Sequence, residues 1–105
     1  MKWFVRQSNY NDGGWGCGYV VLPKSHKYYG VVYPDIPVHG GITLSEHSDG
    51  LNWPEIEEGW VLGFDTAHYG DTIDYWTRDR VVKETIDLAL RLGVITFNEY
   101  YDSVK

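Results

Sequence analysis

The clearest pattern of apolar and polar positions in the chain lies between Arg78 and Leu92. Apolar residues recur there at spacings of three and four, which places them on one side of an α-helix. They are Val82, Ile86, Ala89 and Leu90, flanked by Val81, Leu88 and Leu92. Thr77 or Asp79 can cap the first turn, and Gly93 stands where a left-handed residue ends a helix. The pattern predicts one long helix near the C-terminus.

Short β-prone segments, separated by turns rich in glycine, proline and acidic residues, precede this helix. The segments favoured as strands are Lys2–Arg6, Cys17–Leu22, Ile42–Ser45 and Trp60–Phe64, with Tyr28–Tyr33 and Val94–Phe97 as further candidates. Trp60, Leu62 and Phe64 alternate with the positions between them, so we expect these three side chains to pack toward the helix. The predicted fold is α+β, an antiparallel sheet of four to six strands with one long C-terminal helix packed on one face.

Length and composition fit one domain that spans residues 1–105. A chain of this size, with 43% hydrophobic residues, can form one stable core but not two. Five Trp, nine Tyr and three Phe are more aromatic side chains than such a core buries completely. Because Tyr and Trp combine an apolar ring with a polar group, we expect some of them to line a surface or a groove.

The charge balance limits the classes of partner. Fifteen acidic and nine basic residues give a net charge of −6, which disfavours direct binding to nucleic acid or to an anionic membrane. No apolar stretch approaches the length of a membrane span, and the N-terminal segment turns polar too early for a signal peptide. A single cysteine excludes an intrachain disulfide. We therefore expect a cytoplasmic protein, and no motif predicts an organic cofactor.

The polar turn after the fourth predicted strand carries the densest group of candidate ligands. Asp65, His68 and Asp71 are spaced three positions apart, Tyr69 in the same turn is a further ligand-binding candidate, and His39 precedes a Gly-Gly turn. Two imidazoles and two carboxylates suit a divalent metal such as Zn²⁺, Mn²⁺ or Fe²⁺. The same residues could instead form a metal-free acid–base pair, in which an aspartate orients a histidine. A third interpretation is that both aspartates bond the backbone of their own turns.

The segment around Cys17 is similar to a catalytic motif. Gly14–Tyr19, GWGCGY, resembles the nucleophile motif of some cysteine peptidases that act on ubiquitin-like modifiers. With His39 and Asp65 a Cys-His-Asp triad can be drawn. Cys17 opens a predicted strand, however, whereas a papain-type nucleophile sits at a helix N-terminus that lowers the pKa of its thiol. We therefore interpret Cys17 as an inert structural residue.

Aromatic and acidic residues are concentrated in the connections between the predicted elements. They predict a surface for a basic protein partner, formed by Trp53, Glu55, Glu57, Glu58, Tyr75 and Trp76. Trp53 and Pro54 are also expected to fold their loop back onto the body of the domain. The alternative is that the aromatic residues anchor loops and the acidic residues are simply solvated.

Several blocks of the sequence resemble one family of proteins. The blocks are Gly18-Tyr19-Val20, Tyr29-Gly30, Val38-His39-Gly40-Gly41-Ile42-Thr43 and the segment Gly63–Asp71. The HGG-x-T and GFDxAHxGD patterns are distinctive of a family of small, largely uncharacterised proteins encoded by phages and prophages. The resemblance extends from Cys17 to Leu92. It implies a cytoplasmic accessory protein that acts on host machinery or host defence, and it supports a site at His39, Asp65, His68 and Asp71.

Two functions from different classes follow. The expected function is that of a small non-enzymatic binding protein of phage type, which engages a host protein or a small ligand and could inhibit host defence. The alternative is a small metal-dependent or acid–base hydrolase that uses His39, Asp65, His68 and Asp71. A bound metal would distinguish the two functions. Whether His39 lies close to Asp65 and His68 in the folded chain decides if these residues form a site or only stabilise their turn.

Overall fold

The computed structural model describes residues 2–8, 13–54 and 56–104. Four strands form one antiparallel sheet, in the order β1-β2-β4-β3. They are β1 (Trp3–Gln7), β2 (Gly16–Leu22), β3 (Leu44–His47) and β4 (Trp60–Asp65). Two helices follow, α1 (Arg78–Arg91) and α2 (Phe97–Val104). The predicted α+β class is confirmed, with a sheet of four strands and two helices in place of one.

The helix α1 covers one face of the sheet. The hydroxyl of Thr77 caps its first turn by accepting a hydrogen bond from the backbone N–H of Arg80, and Gly93 follows its end with a φ of 71°. Leu62 and Phe64 of β4 pack in the core beneath it, as the alternation of residues predicts. The buried residues of α1 are Val81, Thr85, Ile86, Leu88 and Ala89.

The helix α1 approaches the sheet closely at Gly18 of β2. A side chain at this position would overlap the hydroxyl of Thr85 and the ring of Phe64. The hydroxyl of Thr85 donates to the carbonyl of Val81 at 2.6 Å, so its burial leaves no unsatisfied donor. The absence of a side chain at Gly18 therefore sets how near α1 lies to β2.

The opposite face of the sheet is covered as well. Tyr19, Val21 and Val61 are buried there beneath the loop that follows β3, which contributes Leu51, Trp53 and Ile56. The ring of Trp53 meets the ring of Tyr19 edge-on at 5.0 Å, and the guanidinium of Arg6 lies 4.1 Å from its centroid. The loop folds back onto the body of the domain, as predicted from Trp53. The sheet is thus enclosed on both faces, whereas the sequence predicted a cover on one.

Two predicted strands are absent from the described part of the chain. Val94–Phe97 was expected to be a strand, but α2 begins at Phe97. Thr96 and Glu99 cap this helix reciprocally: Oγ1 of Thr96 accepts from the N–H of Glu99 at 3.1 Å, and the N–H of Thr96 donates to Glu99 at 2.9 Å. Tyr28–Tyr33, the other candidate strand, forms turns and bends.

The helix α2 is fixed to α1 by a small polar group. Lys83 donates to Asp87 and to the hydroxyl of Tyr100, both at 2.8 Å, and that hydroxyl donates to Asp87 at 2.7 Å. The carboxylate of Asp87 raises the pKa of Lys83. Neither helix is long and apolar enough to cross a membrane, within the residues that the structure describes.

Gly18→Ala is expected to lower the free energy of unfolding by about 1 to 3 kcal/mol, because its methyl group would overlap Thr85 and Phe64. Urea denaturation measures the change. In a Thr85→Ala background the same substitution should cost less, since the nearest overlapping atom is gone. Equal costs in the two backgrounds would show that the Gly18–Thr85 contact does not set the position of α1.

Candidate functional site

Two aspartates of the polar turn at the end of β4 accept hydrogen bonds from backbone N–H groups of the same turn. Asp65 accepts a hydrogen bond from the N–H of Ala67 at 3.0 Å, and Asp71 accepts one from the N–H of His68 at 2.9 Å. The N–H of Asp71 donates to the carbonyl of His68 at 2.9 Å, and Gly70 adopts a φ of 88°. Both aspartates therefore bond their own turn, but this use leaves carboxylate oxygens available for other contacts.

His39 reaches this turn from the segment before β3. Its backbone N–H donates to the carboxylate of Glu84 in α1 at 2.8 Å. Its ring lies against the ring of Trp76, with centroids 4.2 Å apart and an interplanar angle of 36°. The position of His39 is thus set by α1 and by the loop that leads into α1.

The two parts of the site meet at Asp71. Nε2 of His39 lies 2.9 and 3.0 Å from the two carboxylate oxygens of Asp71. The rings of His39 and His68 stand nearly perpendicular, with centroids 5.5 Å apart. A side chain at Gly40 would overlap the ring of His68, so the Gly-Gly turn allows the two histidines to approach. The structure therefore brings His39, His68 and Asp71 together across 32 positions of sequence.

The ring of His68 has an unusual environment. Its Nδ1 lies 3.3 Å from an oxygen of Asp65 and 3.4 Å from an oxygen of Asp71. Neither contact has the geometry of a hydrogen bond, and this Nδ1 is the one buried side-chain nitrogen or oxygen of the described residues that lacks a partner. A buried polar atom without a partner costs about 1 to 3 kcal/mol, so native proteins rarely retain one without a reason.

The three residues His39, His68 and Asp71 each place a potential ligand atom within 4.8 Å of the others. Asp65 contacts His68 but lies outside this group of three, among the residues that the structure describes. We call these three residues the His-Asp group. Of the residues predicted in the turn, His68 and Asp71 thus lie beside His39, and Asp65 contacts His68.

Burial differs strongly within the His-Asp group. The side chain of Asp71 is 6% exposed, compared with 26% for His39 and 35% for His68. Burial by itself would raise the pKa of Asp71, but the hydrogen bonds from His39 and from the backbone of His68 outweigh it and hold that pKa below its ordinary value. The group therefore has a charged, buried carboxylate at its centre and two imidazoles that remain accessible.

The other residues predicted for ligand or partner binding are divided along the chain between the segments before and after β4. Glu57 and Glu58 precede β4, whereas Tyr75 and Trp76 follow the turn at its opposite end. Tyr69 is fully exposed, and Tyr75 is 55% exposed. Trp53 and Trp76 pack inward, on the sheet and on His39 respectively. Glu55 lies outside the described residues.

Cys17 occupies β2, directly opposite Asp65 of β4. Its Sγ is 3.4 Å from the hydroxyl of Ser8, and its side chain packs with the cluster on the outer face of the sheet. His39 bonds Asp71 and not Asp65, so the triad drawn from the sequence does not have the hydrogen bond on which its histidine would depend. Cys17 has the strand position that favoured a structural role.

Glu84 is a residue of the site that sequence reasoning missed. It stands on the polar side of α1 among other charged residues, and nothing in its neighbours distinguishes it. Trp76 was assigned to a partner surface, although its ring supports His39. The contacts of both residues with His39 depend on how the segment before β3 crosses α1. No local sequence pattern predicts that crossing.

Comparison with known proteins gives no match, whether to a family model, to a curated protein or to a solved structure. The resemblance to a phage family stays a prediction. The function is therefore argued from the geometry of the site.

Asp71→Asn is expected to lower the free energy of unfolding by about 1.5 to 3 kcal/mol near neutral pH, because charge-assisted hydrogen bonds to His39 and His68 are lost. The pKa of Asp71 is depressed in the fold, so the stability from its carboxylate is present above the ordinary value of 3.8 and is lost as the pH falls through the folded pKa. Urea denaturation in the presence of a chelator should show that the difference in free energy of unfolding between the parent protein and the variant shrinks as the pH falls below 3.8. Asp74→Asn, at an exposed position in the same loop, is the control. A difference that persists unchanged in acid would contradict this role of the charge.

Proposed function

We propose that this protein is a metal-dependent hydrolase whose divalent transition metal is bound by His39, His68 and Asp71. The observation that carries the proposal is the buried Nδ1 of His68, which lacks a hydrogen-bond partner while it faces carboxylate oxygens of Asp65 and Asp71. A cation bonded to the lone pair of this nitrogen would satisfy it and would neutralise the carboxylates beside it.

The spacing of the atoms supports a metal. In a tetrahedral zinc site with bonds of about 2.0 to 2.1 Å, neighbouring ligand atoms lie about 3.3 to 3.4 Å apart. Nδ1 of His68 and the nearest oxygen of Asp71 are separated by 3.4 Å. Nε2 of His39 lies closer to Asp71, at 2.9 Å, because the two are hydrogen-bonded. Metal binding would replace the proton on this nitrogen and widen the pair by a few tenths of an ångström.

The donor types favour a catalytic site over a structural one. Two imidazoles and one carboxylate form the ligand set of catalytic zinc sites and of non-haem iron sites, which keep a coordination position open. Structural zinc sites are usually closed by cysteines, and Cys17 lies on the sheet, outside the His-Asp group. Both histidine side chains are partly exposed, so solvent reaches their rings. When bound, such a metal supplies an activated water for hydrolysis.

Neighbouring residues hold these ligands in place. The backbone N–H of His68 donates to Asp71 and fixes the direction of that carboxylate. Trp76 and Glu84 position the ring and the backbone of His39. Asp65, 28% exposed and in contact with His68, is available as a fourth ligand or as an acid–base group.

A metal-free acid–base pair is the second candidate. It is favoured by the contact of His39 Nε2 with both oxygens of Asp71, which is how a carboxylate orients a catalytic histidine. In that arrangement Nδ1 of His39, which has no hydrogen-bond partner among the described residues, would accept the proton. The two candidates differ in whether the activity survives removal of metal.

Binding of a host protein has less support. The residues assigned to that surface are divided between the two ends of β4, and its two tryptophans are partly buried against the sheet and against His39. The His-Asp group, in contrast, is a single cluster that residues from three parts of the chain build together.

Protein purified without a histidine tag is expected to bind close to one equivalent of Zn²⁺ or Mn²⁺ in elemental analysis and calorimetry. His39→Ala and His68→Ala should each weaken binding by at least about tenfold, since each removes one ligand. His47→Ala is the matched control, because His47 lies 3.5 Å from Asp49 in a histidine–aspartate pair outside the His-Asp group. Failure of the parent protein to bind metal, or an equal loss in the control, would refute the proposal.

A further inference from the structure

A shallow groove of about 140 Å³ opens between α1 and the loop before it. It is lined by Tyr75, Trp76, Arg80, Lys83 and Glu84. Trp76 and Glu84 are also the residues that hold the ring and the backbone of His39. The groove and the His-Asp group therefore adjoin each other at Trp76 and Glu84.

The groove contains a cation that the protein does not neutralise. The guanidinium of Arg80 lies 4.2 Å from the ring centroid of Tyr75 and makes no hydrogen bond or ion pair with any residue that the structure describes. Lys83 differs, because its ammonium is bonded to Asp87 and to Tyr100. In a chain with six more acidic than basic residues, an unpaired guanidinium beside the site has all five donors available for a ligand.

A series of aromatic contacts connects Arg80 to the site. The ring of Tyr75 meets that of Trp76 edge-on at 5.5 Å, and the ring of Trp76 lies 4.2 Å from that of His39. A guanidinium held over an aromatic face loses less side-chain entropy when it binds an anion. The direction of Arg80 is therefore set before a ligand arrives.

We propose that Arg80 binds the phosphoryl group of the substrate, so that the substrates of this protein are phosphate esters. The inference rests on the proposed metal site, which supplies the second positive centre. Arginine and divalent metals together are the usual partners of a phosphoryl group, and the planar guanidinium fits two of its oxygens at once. In its hydrolysis the oxygen of water bonds to phosphorus, the bond from phosphorus to the alcohol oxygen breaks, and a proton from water ends on the alcohol.

The test measures binding of phenylphosphonate, a probe that cannot be hydrolysed, to the metal-loaded full chain by calorimetry. Arg80→Gln is expected to weaken phenylphosphonate binding by about tenfold or more, which corresponds to the loss of a bidentate contact, and to leave metal affinity unchanged. The matched control is Arg78→Gln. The guanidinium of Arg78 lies 5.7 Å from the ring centroid of Trp15 and outside the groove, two residues away and so on nearly the opposite side of α1. This control should bind the probe like the parent protein.

The outcomes separate this inference from the proposal on which it rests. If the parent protein binds no metal, both fail. If metal binds but phenylphosphonate binds the parent and Arg80→Gln equally, or Arg78→Gln weakens binding as much, the role of Arg80 is refuted and the metal site stands. Benzoate, which has the same ring and a carboxylate, should bind more weakly than phenylphosphonate; equal or tighter binding would overturn the substrate class.

Discussion

The buried carboxylate of Asp71 is the group on which the candidate site depends. It accepts hydrogen bonds from the ring of His39 and from the backbone of His68, and so joins the segment before β3 to the turn after β4. Because it is ionised and nearly inaccessible to water, these bonds are stronger than those of a neutral group in the same place. The same charge that holds the two segments together also makes their imidazoles suitable partners for a cation.

Local sequence patterns were sufficient to predict the elements in which apolar residues recur at regular spacing. The apolar spacing predicted the helix α1, although Val82 and Leu90 of the predicted stripe are only partly buried. The alternation in β4 correctly placed Leu62 and Phe64 in the core beneath α1. The apolar run Val94–Phe97 is too short to separate a strand from the start of a helix, and the prediction there was wrong. The capping pair Thr96 and Glu99 was present in the sequence and outweighed that run.

The residues of the candidate site could be predicted from the sequence, but the contacts between its two segments could not. The proximity of Asp65, His68 and Asp71 follows from their spacing in one turn, but which of them His39 meets depends on how α1 packs. Glu84 and Trp76 decide it, and each contacts His39 from a distant part of the sequence. Trp53 indicated that its loop folds back onto the domain, but an irregular loop has no period, so the sequence did not show that this loop covers the second face of the sheet.

The two glycines after His39 differ in the variation that each can accept. Gly40 combines a φ of 69° with the ring of His68 where a side chain would be, so both backbone strain and overlap act against every other residue. Gly41 has a φ of 81° but open space around it, and asparagine or aspartate adopts such a conformation at modest cost. In a collection of functional variants, position 40 would therefore remain glycine while position 41 drifts toward small polar residues.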